Sequence, residues 1–193
     1  MFQGSTDVGS VVAGATVYDA ARGGYRVTGG GADMWGAADG FHLSWVRLAG
    51  DATVTAEVQF PEDGVVALEK GVLIFRQSLD PGSAYADVAM HGDGHITAQY
   101  RTVAGGKTED TTSTVHGVAH GWTRLRIKRR GDAFTVSAGP VDGELTASAP
   151  VTVALQGPVY VGIGVCAHNA GGLATVTFSK VRIEQGSGVA AGK

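Results

Sequence analysis

The chain has 193 residues and a net charge of −3, so it offers no global attraction to nucleic acid or anionic lipid. Its 31 glycines are about twice the usual share, while 44% hydrophobic residues suffice to fill a core. The single cysteine, Cys166, excludes an internal disulfide framework and any paired-cysteine zinc or redox site. At the N-terminus, MFQGSTDVGS has neither the basic nor the apolar region of a secretory signal. The expected compartment is therefore cytoplasmic if the chain is complete, and extracytoplasmic if it was cut from a longer exported parent. From there onward apolar residues recur with period two and almost never with period 3.6. Alternating runs fall near 10–18, 24–29, 41–48, 52–60, 71–77, 84–91 and 95–101, then 123–129, 133–138, 144–148, 151–155, 159–167 and 174–183. Glycine-rich turn signals separate them, among them Gly30-Gly31, Asp63-Gly64, Gly92-Asp93-Gly94 and Gly171-Gly172. No apolar stretch approaches the ~20 residues that cross a bilayer.

About a dozen short strands with no helix between them predict an all-β antiparallel sandwich or barrel. No linker divides the chain, so residues 1–185 read as one domain, with 186–193 as a flexible tail. The polar stretch 105–121 reads as a long surface loop.

The pleat sorts side chains by face. In 84–91, Ala84, Ala86, Val88 and Met90 form the apolar side, and Tyr85, Asp87 and His91 the other. In 95–101, Gln99 and Arg101 oppose Ile96, Ala98 and Tyr100, and Arg76 closes the preceding strand. One hairpin thus presents planar, multidentate hydrogen-bonding groups on a single surface, the kind that read hydroxyls and carboxylates. The segment GGGADMWG (29–36) adds Asp33 and Trp35 beside it, a stacking ring next to a carboxylate. His168 follows the strand 159–167 on the same side. Trp45 and Trp122 read as core.

Other chemistries fit less well. Cys166 and His168 share a pleat face as any i, i+2 pair does, and a zinc site from His91, His95 and His168 has no fixed geometry. RIKRR (126–130) alternates with core residues and reads as a solvated edge that discourages strand addition. The glycines at 29–31 lack the helix that a phosphate loop needs.

Three blocks carry a family resemblance: YRVTGGGADMWGAADGFHLSWVRLAGDATVTAEVQF, KGVLIFRQSLDPGSAYADVAMHGDGHITAQYR and PVYVGIGVCAHNAGGLATVTFSKVRI. In this order they resemble the laminin-G-like domains grouped under DUF1349 and "regulation of enolase protein 1", found with TolB-like propeller proteins. The resemblance covers roughly residues 3–184 and implies a concanavalin A-like jelly-roll sandwich of two curved antiparallel sheets. That fold hosts lectins, carbohydrate-binding modules, glycosidases and lyases, so it leaves function open. Many such sandwiches hold a structural calcium through an acidic residue near the last strand; Ser179-Lys180 stands there in this chain, and no cofactor is expected.

The glycosidases of this fold resemble one another in an ExDxE strand that this chain lacks. The Gln-x-His strand of jelly-roll alginate lyases is absent too, since Tyr100 and Arg101 follow Gln99. The expected function is a non-catalytic module that recognises an oligo- or polysaccharide on its concave sheet. Its site would comprise Arg76, Tyr85, Asp87, His91, Gln99 and Arg101, rimmed by Asp33, Trp35 and His168. Replacing Arg76 and Arg101 by Ala is expected to abolish binding without unfolding. A glycan-active enzyme on the same face and a protein-interaction domain are the alternatives. No nucleic-acid or membrane partner is expected, and the chain is expected to be a monomer or weak homo-oligomer.

Overall fold

A computed structural model describes residues 1–61, 65–112, 117 and 121–186. The chain order begins β1 (Gly4–Val8), β2 (Ala15–Asp19), β3 (Gly24–Gly31), β4 (Met34–Trp35), β5 (Ala38–Asp39) and β6 (Phe41–Leu48). Next come β7 (Ala52–Gln59), β8 (Lys70–Arg76), β9 (Tyr85–His91), β10 (Ile96–Arg101), β11 (Glu109–Thr112) and β12 (Thr123–Arg130). The last are β13 (Ala133–Pro140), β14 (Thr146–Ala147), β15 (Val151–Thr152), β16 (Val159–Cys166) and β17 (Asn169–Gln185).

Two antiparallel sheets face one another in a jelly-roll sandwich. One has seven strands in the order β1-β6-β16-β8-β9-β10-β11; the other runs β14-β13-β12-β7-β17-β3-β2, with β15 beside β13. β4 and β5 form a separate small hairpin. The core lies between the sheets, where each strand turns every second side chain. Val54, Ala56 and Val58 of β7 and Leu125 and Ile127 of β12 meet Leu73, Phe75, Val88 and Ile163 from the opposite sheet. Phe75 and Phe134 join the layers edge to face, with ring centroids 5.5 Å apart.

The alternating runs became strands, with differences that have physical reasons. β1, β4–β5 and β11 are too short or too polar to show a period, and they form through pairing with distant partners. Gly30-Gly31 ends β3 instead of turning, because β17 pairs with it at Asn169. Gly171-Gly172 lies inside β17, where the pairing register shifts between Asn169 and Ala174. RIKRR is not an edge: β12 lies between β13 and β7, and pattern alone cannot tell a central strand from an outer one. Within it Arg129 is buried and donates to the Leu155 carbonyl at 2.5 Å. Trp45 and Trp122 are only partly buried; Trp45 sits on the outward face of the seven-stranded sheet, 5.0 Å from the Tyr160 ring. Part of the polar stretch 105–121 forms β11 against β10. The Asp63-Gly64 turn, residues 113–116 and 118–120, and the tail 187–193 lie outside the described residues.

Phe134→Ala removes the ring that bridges the layers and is expected to cost about 3–5 kcal/mol. Calorimetric unfolding measures it; a loss below about 1 kcal/mol would mean that the rings are not packed as described.

Candidate functional site

Backbone pairing stacks the outward side chains of the seven-stranded sheet in rows. Arg76, Tyr85 and Arg101 are cross-strand neighbours in one row, and Ile74, Asp87, Gln99 and Asp110 in the next. Lys70 pairs with His91 towards the other end. The pleat therefore puts Arg76, Tyr85, Asp87, His91, Gln99 and Arg101 on one face, as their alternation implies.

Half of that face is covered. After Gly31 the chain crosses it as the β4–β5 hairpin, closed by the Gly40 amide donating to the Asp33 carbonyl at 2.8 Å. Gly31 makes the crossing possible: its φ is 114°, and a Cβ there would collide with the Gly40 carbonyl. The hairpin drives Asp39 down between two arginines. Arg101 holds it with both ends of its guanidinium, Nη2–Oδ1 at 2.6 Å and Nη1–Oδ2 at 2.9 Å, and Arg76 adds Nη1–Oδ2 at 2.9 Å.

Carbonyl oxygens accept further protons, while Arg101 Nε has no partner among the described residues. Arg76 donates to Ser78 and Asp80 at 2.7 and 2.6 Å, and Arg101 to Ser83 and Gly36 at 3.0 and 3.1 Å. The Tyr85 ring lies against both cations, 5.9 Å from the Arg76 Cζ and 5.1 Å from the Arg101 Cζ. All three of these side chains are 0% exposed. Arg76, Tyr85 and Arg101 thus meet the cap hairpin rather than an open hollow, because Asp39, a group outside the expected set, is inserted between the two guanidiniums. The Tyr85 phenol is pushed well above its ordinary pKa by burial and by the carboxylates of Asp87 and Asp39, which leaves it unsuited to exchanging protons.

Beyond the cap a cavity of about 260 Å³ remains. Five of the expected residues line it: Asp33, Trp35, His91, Gln99 and His168. Lys70, Thr97, His95, Asp110 and Leu68 complete the lining. Lys70 is buried and donates to Asp33 Oδ1 at 2.5 Å and to the Met34 carbonyl at 3.3 Å. Its ammonium lies 5.9 Å from the centroid of Trp35, whose ring is 38% exposed at the rim. His168 Nδ1 stands 3.6 Å from the same Asp33 oxygen.

His91 Nδ1 lies 3.1 Å from the His95 carbonyl, so Nδ1 carries the proton and Nε2 is an acceptor. Burial and the Lys70 cation pull its pKa down to about 4. Gln99 Oε1 and Thr97 Oγ1 are buried with no hydrogen-bond partner. Gln99, Thr97 and His91 line the same small space, and the buried oxygens of the first two lie behind its surface with hydrogen-bonding capacity left over.

Asp87 sits beside Gln99 in the same row, 1% exposed, with no well-formed hydrogen bond to either carboxyl oxygen. Burial pushes its pKa well up, against the pull of the Lys70 cation, so the neutral acid is favoured. Cys166 is likewise held as a thiol, with burial raising its pKa to about 11. Among the described residues no three His, Cys, Asp or Glu side chains gather closely enough to hold a metal.

A calcium near the last strand does not fit the donors present. Lys180 reaches Glu57 Oε1 at 3.1 Å and Arg124 reaches the same oxygen at 3.0 Å, so the carboxylate there is already neutralised twice. A larger cleft, about 720 Å³, opens between the sheet edges near Phe2, Tyr18 and Tyr25. Within it the Ser44 hydroxyl donates to the Thr16 hydroxyl at 2.6 Å.

No protein-family model matches the chain, and no curated protein does. Solved structures share its fold. A functionally unknown protein from Saccharomyces cerevisiae aligns with TM-score 0.67 and 18% identity, over 95% of this chain and 97% of that one. The carbohydrate-binding module CBM66 from Bacillus subtilis aligns with TM-score 0.61 and 18% identity, over 95% and 97%. An immunostimulatory antigen and pseudo β-1,3-glucanase of Mycobacterium tuberculosis aligns with TM-score 0.56 and 14% identity, over 84% of this chain and 75% of that one.

Asp39→Ala strands two buried guanidiniums and is expected to destabilise the protein by about 3–5 kcal/mol in chemical denaturation. Arg76→Ala and Arg101→Ala are expected to unfold it in the same way, not to remove ligand contacts alone. A second prediction concerns pH. The folded pKa of His91 lies below its unfolded value of about 6.5, so its contribution to stability is present above that value. It is lost as pH falls towards about 4. The buried acid of Asp87 acts in the opposite sense, favouring the folded state at low pH. Imidazole titration by NMR should place His91 near 4, and His91→Gln should flatten the acid limb of the stability profile; a titration near 6.5 would contradict the burial.

Proposed function

We propose that the protein is a carbohydrate-recognising module that holds a sugar unit in the cavity beside the cap hairpin, without cleaving it. The observation that carries this reading is the convergence of Gln99, Thr97 and His91 on a cavity rimmed by Trp35. A sugar ring has an apolar C–H face and a polar edge. Trp35 supplies a surface for the face, and Gln99, Thr97 and His91 supply hydrogen-bonding side chains for the edge. The Asp33–Lys70 pair, half-buried at Asp33, fixes one wall, because Asp33 Oδ1 accepts from both Lys70 and the Met34 amide.

Shape and chemistry agree with a small ligand. The volume of about 260 Å³ lies just under the ~300–1,000 Å³ of drug-sized pockets and suits a single sugar unit. The shared fold with a carbohydrate-binding module and a pseudo β-1,3-glucanase supports a carbohydrate role. Asp33 gives its Oδ1 to Lys70 and to the Met34 amide, an arrangement for holding shape rather than for moving protons. We place the chain with the DUF1349 domains, on its three sequence blocks, as part of the same proposal.

A glycan panel read by calorimetry is expected to find a binder in the µM–mM range. Trp35→Ala should weaken binding about ten-fold or more. Gln99→Leu should abolish it while leaving stability unchanged or higher, since it removes a buried polar group that has no partner in the empty protein. Binding that survives both substitutions would place the sugar elsewhere. New reducing ends, or unsaturated products absorbing in the ultraviolet, would show that the protein is an enzyme.

A further inference from the structure

The outward face of the other sheet carries a second feature, which nothing in the sugar cavity uses. There the alternating basic residues of RIKRR, now central in the sheet, point to solvent. A shallow cavity of about 230 Å³ sets Arg124, Arg126, Lys180 and Arg182 against two carboxylates, Glu57 and Glu184. Glu57 is buried and already shared by Arg124 and Lys180. Arg126 and Arg182 are left exposed, with no carboxylate at ion-pair distance among the described residues. They flank Thr55 from the two neighbouring strands, which puts their Cα atoms two strand spacings, about 10 Å, apart. Arg126 Nε reaches the Thr55 hydroxyl at 3.4 Å, so a hydroxyl donor lies between the two cations. A locally cationic patch thus stands out on a chain whose net charge is −3.

We propose that this face binds an acidic polysaccharide, seating a carboxylate or sulfate group between Arg126 and Arg182 over Thr55. The charge complementarity points to an anion. Thr55, and Thr53 one pleat along on the same strand, offer hydroxyl partners to a hydroxylated polymer. No aromatic side chain lines the cavity, so bases have nothing to stack on, and a flat sheet presents no wedge to a nucleic-acid groove or a bilayer. The site is independent of the sugar cavity and survives if that reading fails.

The test uses the whole chain and immobilised polymers: heparin for sulfate, polygalacturonate for carboxylate and dextran as the neutral control. At low salt at least one of the acidic polymers is expected to bind and dextran is not, with affinity falling as ionic strength rises. The doubly substituted Arg126→Ser/Arg182→Ser protein is expected to lose at least about ten-fold in affinity at unchanged thermal midpoint. Trp35→Ala is expected to bind the acidic polymer as before. Independently of any variant, amide resonances of Thr55, Arg126 and Arg182 should move on titration with the polymer that binds. The proposal is overturned if neither acidic polymer binds, if the double variant binds equally well, or if the shifts map elsewhere. Duplex DNA or phosphatidylserine vesicles binding as tightly as the acidic polymers would overturn it too, by assigning the face to another partner.

Discussion

One carboxylate between two guanidiniums organises the functional half of this molecule. Asp39 is buried against Arg76 and Arg101, and without it the outward face of the seven-stranded sheet would carry two cations with only carbonyl dipoles to offset them. Such a cluster is costly to desolvate and is held together by geometry: a bidentate pair, a third short bond and a ring of backbone acceptors. Its effect is positional. It ties the β4–β5 hairpin onto the sheet, and the hairpin's other residues, Asp33 and Trp35, become one wall of the remaining cavity. Lys70 repeats the device on a smaller scale by holding Asp33 from below. The cavity is therefore a by-product of the cap, and its shape depends on a buried ion cluster that touches no ligand.

The sequence reveals the faces of the strands and conceals what covers them. Period-two alternation placed Tyr85, Asp87 and His91 opposite Val88 and Met90, and Gln99 and Arg101 opposite Ala98, because a strand allows nothing else. It could not show that Arg76 and Arg101 are covered. Their partner lies 37 and 62 residues away, in a hairpin whose strands are two residues each. The segment GGGADMWG puts Asp33 and Trp35 beside the site, but Asp39, which makes the contact that matters, lies beyond it. Lys70 stayed invisible because it opens a strand that is otherwise apolar. Thr97 and Asp110 look like ordinary solvent-facing strand residues until β11 pairs with β10. The misplacement of RIKRR has the same origin: strand order is a long-range property that alternation does not encode.

The two sheets present different chemistry outward. The seven-stranded sheet is covered along the cap hairpin, with apolar Val72, Ile74 and Ala89 among its buried polar groups, and it keeps a small cavity beside the cap. The eight-stranded sheet is open and lined by threonines and arginines whose charges are only partly balanced. A small cavity lined by an indole, an amide and imidazoles suits a neutral hydroxylated unit held by shape. An open cationic face suits a long anionic chain held by charge. Both sets of contacts are available in one small domain without conflict, since the hydrophobic core separates them.

The most direct test of the account is an NMR titration of the isotopically labelled protein with the sugar that a glycan screen selects. The account predicts that the Trp35 indole, the Gln99 side-chain amide and the Thr97 backbone move together, while Tyr18 and Tyr25 in the larger cleft stay still. Shifts confined to that cleft, or spread evenly with none at Gln99, would contradict it.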